Sequence, residues 1–345
     1  MKRIGICGHY GGKTNPLNGQ TIKTKIITEE LRTLYGDDEV QTVDTYGGAK
    51  RTPAYLLGLW RLTARCRNVM ILPAHNGVKI LAPFLALINR LYRRKLHYIV
   101  IGGWLPELVS TRKRLRKSLQ RFDAIYVETS TMKRAMEAQG FDNIVLMPNC
   151  KNLPILAENE LVYAAGEPYK LCTFSRVNGE KGIEDAIRAV CTVNGELNRR
   201  AYTLDIYGQI EPDYLERFTA LQNNFPDYIR YCGCVDFDCT TPVLKEYYAL
   251  LFPTKYYTEG IPGTVIDAYA AGLPVISSRW ESFCDVIDEG LVGLGYPFGQ
   301  EDKLEELLLE LLNNPETLNA MKVNCLHKAQ AFLASKVVQE KLHVD

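Results

Sequence analysis

No stretch of the 345-residue chain approaches the roughly 18 to 20 consecutive apolar residues of a membrane span, so a membrane-crossing helix is not expected. The first residues, MKRIGICG, pass straight into an apolar strand pattern with no h-region and no small-residue cleavage site, which sets the expected location as the cytoplasm. Paired C-x-x-C spacing is missing as well. Only Cys232, Cys234 and Cys239 cluster, and their C-x-C-x4-C spacing, with the first two on the same face of one strand, is a poor zinc site. Cysteines such as Cys7, Cys172 and Cys191 stand in apolar strand-like contexts, as small buried hydrophobes of a reducing compartment do. There is no repeat at solenoid period and no low-complexity segment. Nor is there a stacking-aromatic or other nucleic-acid motif, so a nucleic-acid partner is not expected.

What is present is the composition of a soluble globular protein, 46% hydrophobic and 23% charged, in a chain long enough for two domains of about 150 residues each. The charge is unevenly spread. Residues 1–150 hold 24 Lys and Arg against 11 Asp and Glu, and the remainder holds 17 against 29. Between Arg90 and Arg134 there are 12 basic residues and three acids, beside the apolar but short run ILAPFLALINRLYRRK. That pairing predicts docking on an anionic membrane surface through the first half, with a solvated basic face as the plain alternative.

Strand patterns at 3–7, 39–44, 68–72, 97–101, 124–127 and 144–147 alternate with helical patterns at 21–34, 78–92, 111–120 and 130–138. Strand patterns recur at 170–174, 202–207, 229–232, 249–252, 274–276 and 293–294, each followed by a helix. Such alternation implies right-handed βαβ units: an α/β chain of two Rossmann-like domains with parallel sheets facing across a cleft. The polar, proline-containing stretch 149–170 reads as the boundary. The expected division is 1–160, 166–325 and a helical segment 326–345 packing back on the first domain.

Ligands of open parallel sheets bind at the C-terminal ends of the strands, which directs attention to three loops. GHYGGKTNPLNGQT follows the first strand. Its Gly12-Lys13-Thr14 invites a Walker A reading, but the spacing back to the first glycine fails, leaving Gly11 and Gly12 as a glycine loop that can offer backbone N–H groups ahead of a helix starting near Gly19. SRVNGEKG follows strand 170–174 and sets Arg176 and Lys181 beside a helix start, an arrangement suited to a diphosphate, unless both are solvated loop charges. YYTEGIPGTVIDAYAAGLPVI places Glu259 on a turn with Gly260, Pro262 and Gly263, and Asp267 eight positions later. Asp267 can be read as part of a capping box with Thr264. Glu259, ahead of the helix, is not explained that way. A carboxylate on a tight turn beside exposed amides suits polyol hydroxyls, which need both acceptor and donor.

The stretch FPTKYYTEGIPGTVIDAYAAGLPVISS resembles the E-x7-E signature of the family 4 retaining glycosyltransferases of the GT-B fold, matching at Pro253, Glu259, Gly260, Gly263, Ala268, Ala270, Gly272, Pro274 and Val275. SRVNGEKGIEDAI is similar to that family's arginine and lysine motif, GFDNIVLMPNC to its interdomain junction, LPAHNG to its first-domain histidine loop, and LDIYGQ with YCGCVD to its base-binding strands. The resemblance implies a metal-independent glycosyltransferase that moves a sugar from a nucleotide-sugar, a UDP-sugar being favoured, to a glycan acceptor, common acceptors in the family being lipid-linked glycans of capsule or exopolysaccharide assembly. It implies no cofactor, the nucleotide-sugar being a substrate. It further implies Glu259 on the donor sugar, His75 touching that sugar, and Gly11 and Gly12 closing over it. Arg176 and Lys181 would neutralise the diphosphate with the amides of Thr264 and Val265, Gly263 would also belong to the donor site, Asp267 would hold the ribose, and Gly233 and Val235 would lie at the base. Three positions depart from the pattern: Asp267 stands for the second glutamate, Pro262 removes an N–H, and Cys150 replaces a glycine. Other readings stand beside this one: His75 as a hydrogen-bonded loop histidine, Asp236 and Asp238 as the D-x-D metal pair of a GT-A transferase, and a sugar-nucleotide-binding scaffold without turnover.

Overall fold

The computed structural model describes residues 1–12, 19–47 and 51–344. The chain forms two units, and three segments build the first: Met1–Asn152, the four residues Thr258–Ile261, and the stretch from Phe332 onward. Leu153–Tyr257 and Pro262–Ala331 build the second.

In the first unit six strands, β1 (Lys2–Gly8), β2 (Val40–Asp44), β3 (Cys66–Leu72), β4 (Lys95–Ile99), β5 (Ala124–Val127) and β6 (Ile144–Leu146), pair in parallel in the order β2-β1-β3-β4-β5-β6. Helices cover both faces, so alternate residues of one strand enter different cores. Val69 and Ile71 pack with α2 (Thr52–Arg65) and α3 (His75–Tyr92), as Leu59, Leu62, Leu81 and Leu85 show. Met70 and Leu72 join Ile4 and Ile6 against α1 (Gly19–Tyr35) on the other face. The expected helix at 111–120 is two, α4 (Leu105–Thr111) and α5 (Lys113–Leu119), parted at Arg112, whose backbone (φ −120°, ψ 76°) leaves the helical region. The last helix before the second unit is α6 (Ser130–Glu137), capped by the Thr129 hydroxyl accepting from Met132 N–H.

In the second unit β7 (Tyr169–Phe174), β8 (Tyr202–Tyr207), β9 (Ile229–Gly233), β10 (Ala249–Phe252), β11 (Val275–Arg279) and β12 (Gly293–Pro297) pair in parallel in the order β12-β11-β10-β7-β8-β9. This is the Rossmann order, while the first sheet has the flavodoxin order. Its helices are α7 (Ile183–Leu197), α8 (Leu215–Gln222), α9 (Thr240–Leu244), α10 (Gly263–Ala270), α11 (Phe283–Val286), α12 (Asp302–Asn313), α13 (Glu316–Asn319) and α14 (Lys322–Ala329). The chain returns to the first unit at Phe332 rather than near 326, because Cys325 and Leu326 of α14 are buried in the second. Lys151 and Phe332 pair through the backbone, and α15 (Ala334–Lys341) adds Val337 and Val338 to the core that holds Ile27 and Leu31. Among the described residues no helix is long and apolar enough to cross a membrane.

Lys322 is fully buried on α14, with Nζ donating to the Tyr247 carbonyl at 3.0 Å, and burial pushes its ammonium down to about 8. The unfolded chain keeps that proton up to 10.5. Between the two values the unfolded state binds more protons, so this residue makes stability rise with pH, by up to about 1.4 kcal/mol per pH unit. Buried thiols act in the opposite sense: burial raises Cys7 to about 12 and Cys150 to about 11. Denaturant unfolding at about pH 8 to 9.5, roughly the lower part of that window, is therefore expected to show a more positive pH slope for the wild type than for Lys322→Met. Equal slopes would refute the assignment.

Candidate functional site

In a doubly wound sheet the strand order reverses at one point, and the loops leaving the two strands there form a crevice. In the second unit those strands are β7 and β10. The loop after β7 carries Ser175, Arg176 and Lys181; the loop after β10 leads to Pro262 and α10. The two loops are fastened together. Gly182 has φ +67°, and a Cβ there would stand 1.8 Å from the Pro253 carbonyl oxygen, so glycine alone permits this approach. Lys255 N–H donates to the Glu180 carbonyl at 2.8 Å, and Lys255 Nζ lies 2.8 Å from the buried Asp185 carboxylate in the first turn of α7. The Asn178 side chain accepts from Lys181 N–H at 2.9 Å and so shapes the turn that carries Lys181. The Lys181 ammonium sits over the Phe252 ring, 5.4 Å from its centroid.

The Thr264 hydroxyl donates to the Phe174 carbonyl, which ties the start of α10 to the end of β7. Pro262 is the N-cap of α10 and no side chain caps it, so the capping-box reading of Thr264 and Asp267 does not hold: the hydroxyl that would have capped is spent on β7. Asp267 is buried on α10. Of the amides expected to face a diphosphate, that of Val265 donates to the Pro262 carbonyl at 3.1 Å, closing the first turn instead. Arg176 is exposed and its guanidinium pairs with Glu211, a partner the sequence did not single out. Gly233, at φ +73°, ends β9 with open space beside its Cα, and Val235 follows half-buried. Asp236 and Asp238 are exposed around a single turn of 3-10 helix. Among the described residues no three His, Cys, Asp or Glu side chains are grouped to hold a metal ion.

In the first unit the reversal lies between β1 and β3. Gly11 and Gly12 follow β1; Lys13 and Thr14 lie outside the described residues. The expected open amides are partly committed, since Tyr10 N–H and Gly12 N–H donate to the two oxygens of Asp44 at 2.9 and 3.1 Å. His75, expected on a loop, is the first residue of α3 and is exposed. Its Nδ1 lies 3.2 Å from Lys79 Nζ and 3.3 Å from Asn76 Oδ1, and Lys79 Nζ donates to that same Oδ1 at 2.9 Å. The Trp104 ring stands edge-on to the His75 ring at 5.2 Å between centroids. Glu259 is half-buried on the turn Thr258–Ile261, which packs within the first unit although its chain neighbours belong to the second. The i, i+4 pair His75 and Lys79 was readable in the sequence. Asp44, Glu211 and Lys255 gave no local signal.

Residues 168–314 match the family of group 1 glycosyl transferases. Among relatives, the GtfA subunit of a UDP-N-acetylglucosamine–peptide N-acetylglucosaminyltransferase from Streptococcus pneumoniae serotype 4 is 24% identical over 233 residues, covering 64% of this chain. The aligned part spans 44% of that relative, less than half its length. HepE of Anabaena, solved with UDP and glucose, superposes with a TM-score of 0.74 at 12% identity over 99% of this chain and 98% of that one. Sucrose-phosphate synthase from Thermosynechococcus elongatus gives 0.75 at 15% identity over 99% and 97%. Likeness at these identities concerns architecture, and the architecture is GT-B: two Rossmann-like units, each with a six-stranded parallel sheet.

Proposed function

We propose that this chain is a retaining glycosyltransferase that moves a sugar from a UDP-sugar to a glycan acceptor. One observation carries the reading: the loop that bears Arg176 and Lys181 and the start of α10, tied to the end of β7 through Thr264, both lie at the β7/β10 reversal, where a nucleoside diphosphate fits a doubly wound sheet. As the glycosidic bond to the diphosphate breaks, negative charge grows on the leaving oxygen. Arg176 and Lys181, with the Gly263 and Thr264 amides, supply the opposing charge, so the step needs no metal ion. Asp267 accepts from the ribose hydroxyls, and Gly233 and Val235 flank the base. Glu259 faces the donor sugar, with His75 and the Gly11-Gly12 loop contributed by the first unit. UDP is favoured because HepE was solved with UDP-glucose and GtfA is named for a UDP-sugar. A lipid-carried glycan is the acceptor class that suits a first unit with exposed Leu87 and Leu91 among Arg90, Arg93 and Arg94.

Thermal melting with UDP, GDP and ADP tests the donor site. At 100 times Kd the preferred nucleotide stabilises the fold by about 2.7 kcal/mol, and UDP is expected to be that nucleotide. Labelled sugar from the matching donor is then expected to enter an organic-extractable product with the donor's anomeric configuration kept. No shift with any nucleoside diphosphate would defeat the reading.

A further inference from the structure

We propose that the buried ion pair of Lys23 and Glu128 is a positioning couple that sets the place of Glu259. This rests on Glu259 acting in sugar transfer, as proposed above. Lys23 lies on α1 and Glu128 directly follows β5; both side chains are 3% exposed and their charged atoms stand 2.6 Å apart. Two charges withdrawn from water contribute little to stability compared with an apolar pair of the same volume, so a pair kept in this place invites a specific role. The Glu128 carboxylate shows one. Its Oε1 accepts from Lys23, and its Oε2 accepts from Ile261 N–H at 3.0 Å.

Ile261 is held at its other end too, where its carbonyl accepts from Asn149 Nδ2 at 2.9 Å. Glu259 thus stands two residues before a residue gripped through both its N–H and its C=O. The intervening position admits no side chain, since a Cβ on Gly260 would come within 2.3 Å of Glu128 Oε2. Lys23 Nζ also donates to the Val100 carbonyl at 3.1 Å, which anchors the couple to the end of β4. The order of support is therefore β4 and α1 to Lys23, Lys23 to Glu128, Glu128 to Ile261, and the turn to Glu259. Lys23 and Ile261 address different oxygens of the carboxylate, and a glutamine at 128 would turn an NH2, which cannot accept, toward one of the two donors.

The test uses the full chain with Glu128→Asp, which keeps both charges but withdraws the carboxylate by one methylene, and with Lys23→Met/Glu128→Gln, which removes both charges. Amide exchange in the peptide containing Thr258–Ile261 is expected to quicken by about tenfold or more while the peptides of β1 and β3 keep their protection. Turnover of donor is expected to fall by a similar factor at unchanged donor KM, with UDP affinity by calorimetry within about twofold of wild type. Wild-type exchange in the turn together with wild-type kcat in Glu128→Asp would overturn the proposal, even if the double variant does not fold. Should the wild type bind no UDP and turn over no donor, the functional reading fails instead, and the exchange measurement still decides whether the couple holds the turn.

Discussion

Glu259→Gln is expected to lower kcat by about 10²-fold while leaving donor affinity nearly intact, the pattern of a group whose contribution grows in the transition state. As the sugar departs from the diphosphate its anomeric carbon gains positive charge. A carboxylate near that carbon interacts more strongly with it then than in the ground state, and an amide of the same shape does not. Asp267 is placed differently. It is buried on α10, in the second unit. A contact with ribose hydroxyls, the role proposed for it above, is remote from the breaking bond and matters alike before and during reaction. Asp267→Asn is therefore expected to raise donor KM roughly tenfold, as for a contact of about 1.4 kcal/mol, with kcat little changed. The capping box does not confound the comparison, because Pro262 and not Thr264 occupies the N-cap. Steady-state kinetics on folded variants distinguishes the two. Wild-type kcat in Glu259→Gln would remove Glu259 from the reaction.

The sheets were legible because each strand is short, apolar and followed by a helix, and the pattern survives even where ends move by a residue or two. What escaped was set by tertiary contact. α2 went unread: its apolar face is interrupted by Gly58, a weak helix former, yet a Cβ there would come within 2.9 Å of Val43, so the glycine lets the helix lie close on β2. Arg112 divides an otherwise continuous basic amphipathic run, which periodicity alone does not reveal. In the candidate site, residues that share a loop or turn were found by spacing. Lys23 resembles any surface lysine on an amphipathic helix, and its partner lies 105 residues on. Asp44 and Glu211 likewise act on loops 32 to 35 residues away, beyond any local window.

Arg176→Ala or Lys181→Ala is expected to cut kcat/KM by about ten- to a hundredfold each, the loss of one charge-assisted contact of roughly 1.5 to 3 kcal/mol. The two should differ in cause. Lys181 is held over Phe252 with its turn fixed by Asn178, so its ammonium is pre-placed and its removal subtracts charge alone. Arg176 pairs with Glu211, and its side chain is 61% exposed. An exposed pair of this kind stabilises by about 0 to 1 kcal/mol, less than a diphosphate offers, so the guanidinium can exchange Glu211 for the ligand at small cost. Glu211→Gln is accordingly expected to tighten UDP binding modestly, by no more than about fivefold for 1 kcal/mol, whereas Arg176→Ala weakens it. If these two cations carry the developing charge, turnover persists in EDTA. Activity abolished by EDTA and restored by Mn²⁺, with Arg176→Ala and Lys181→Ala both near wild type, would transfer that role to a metal ion and away from the β7 loop.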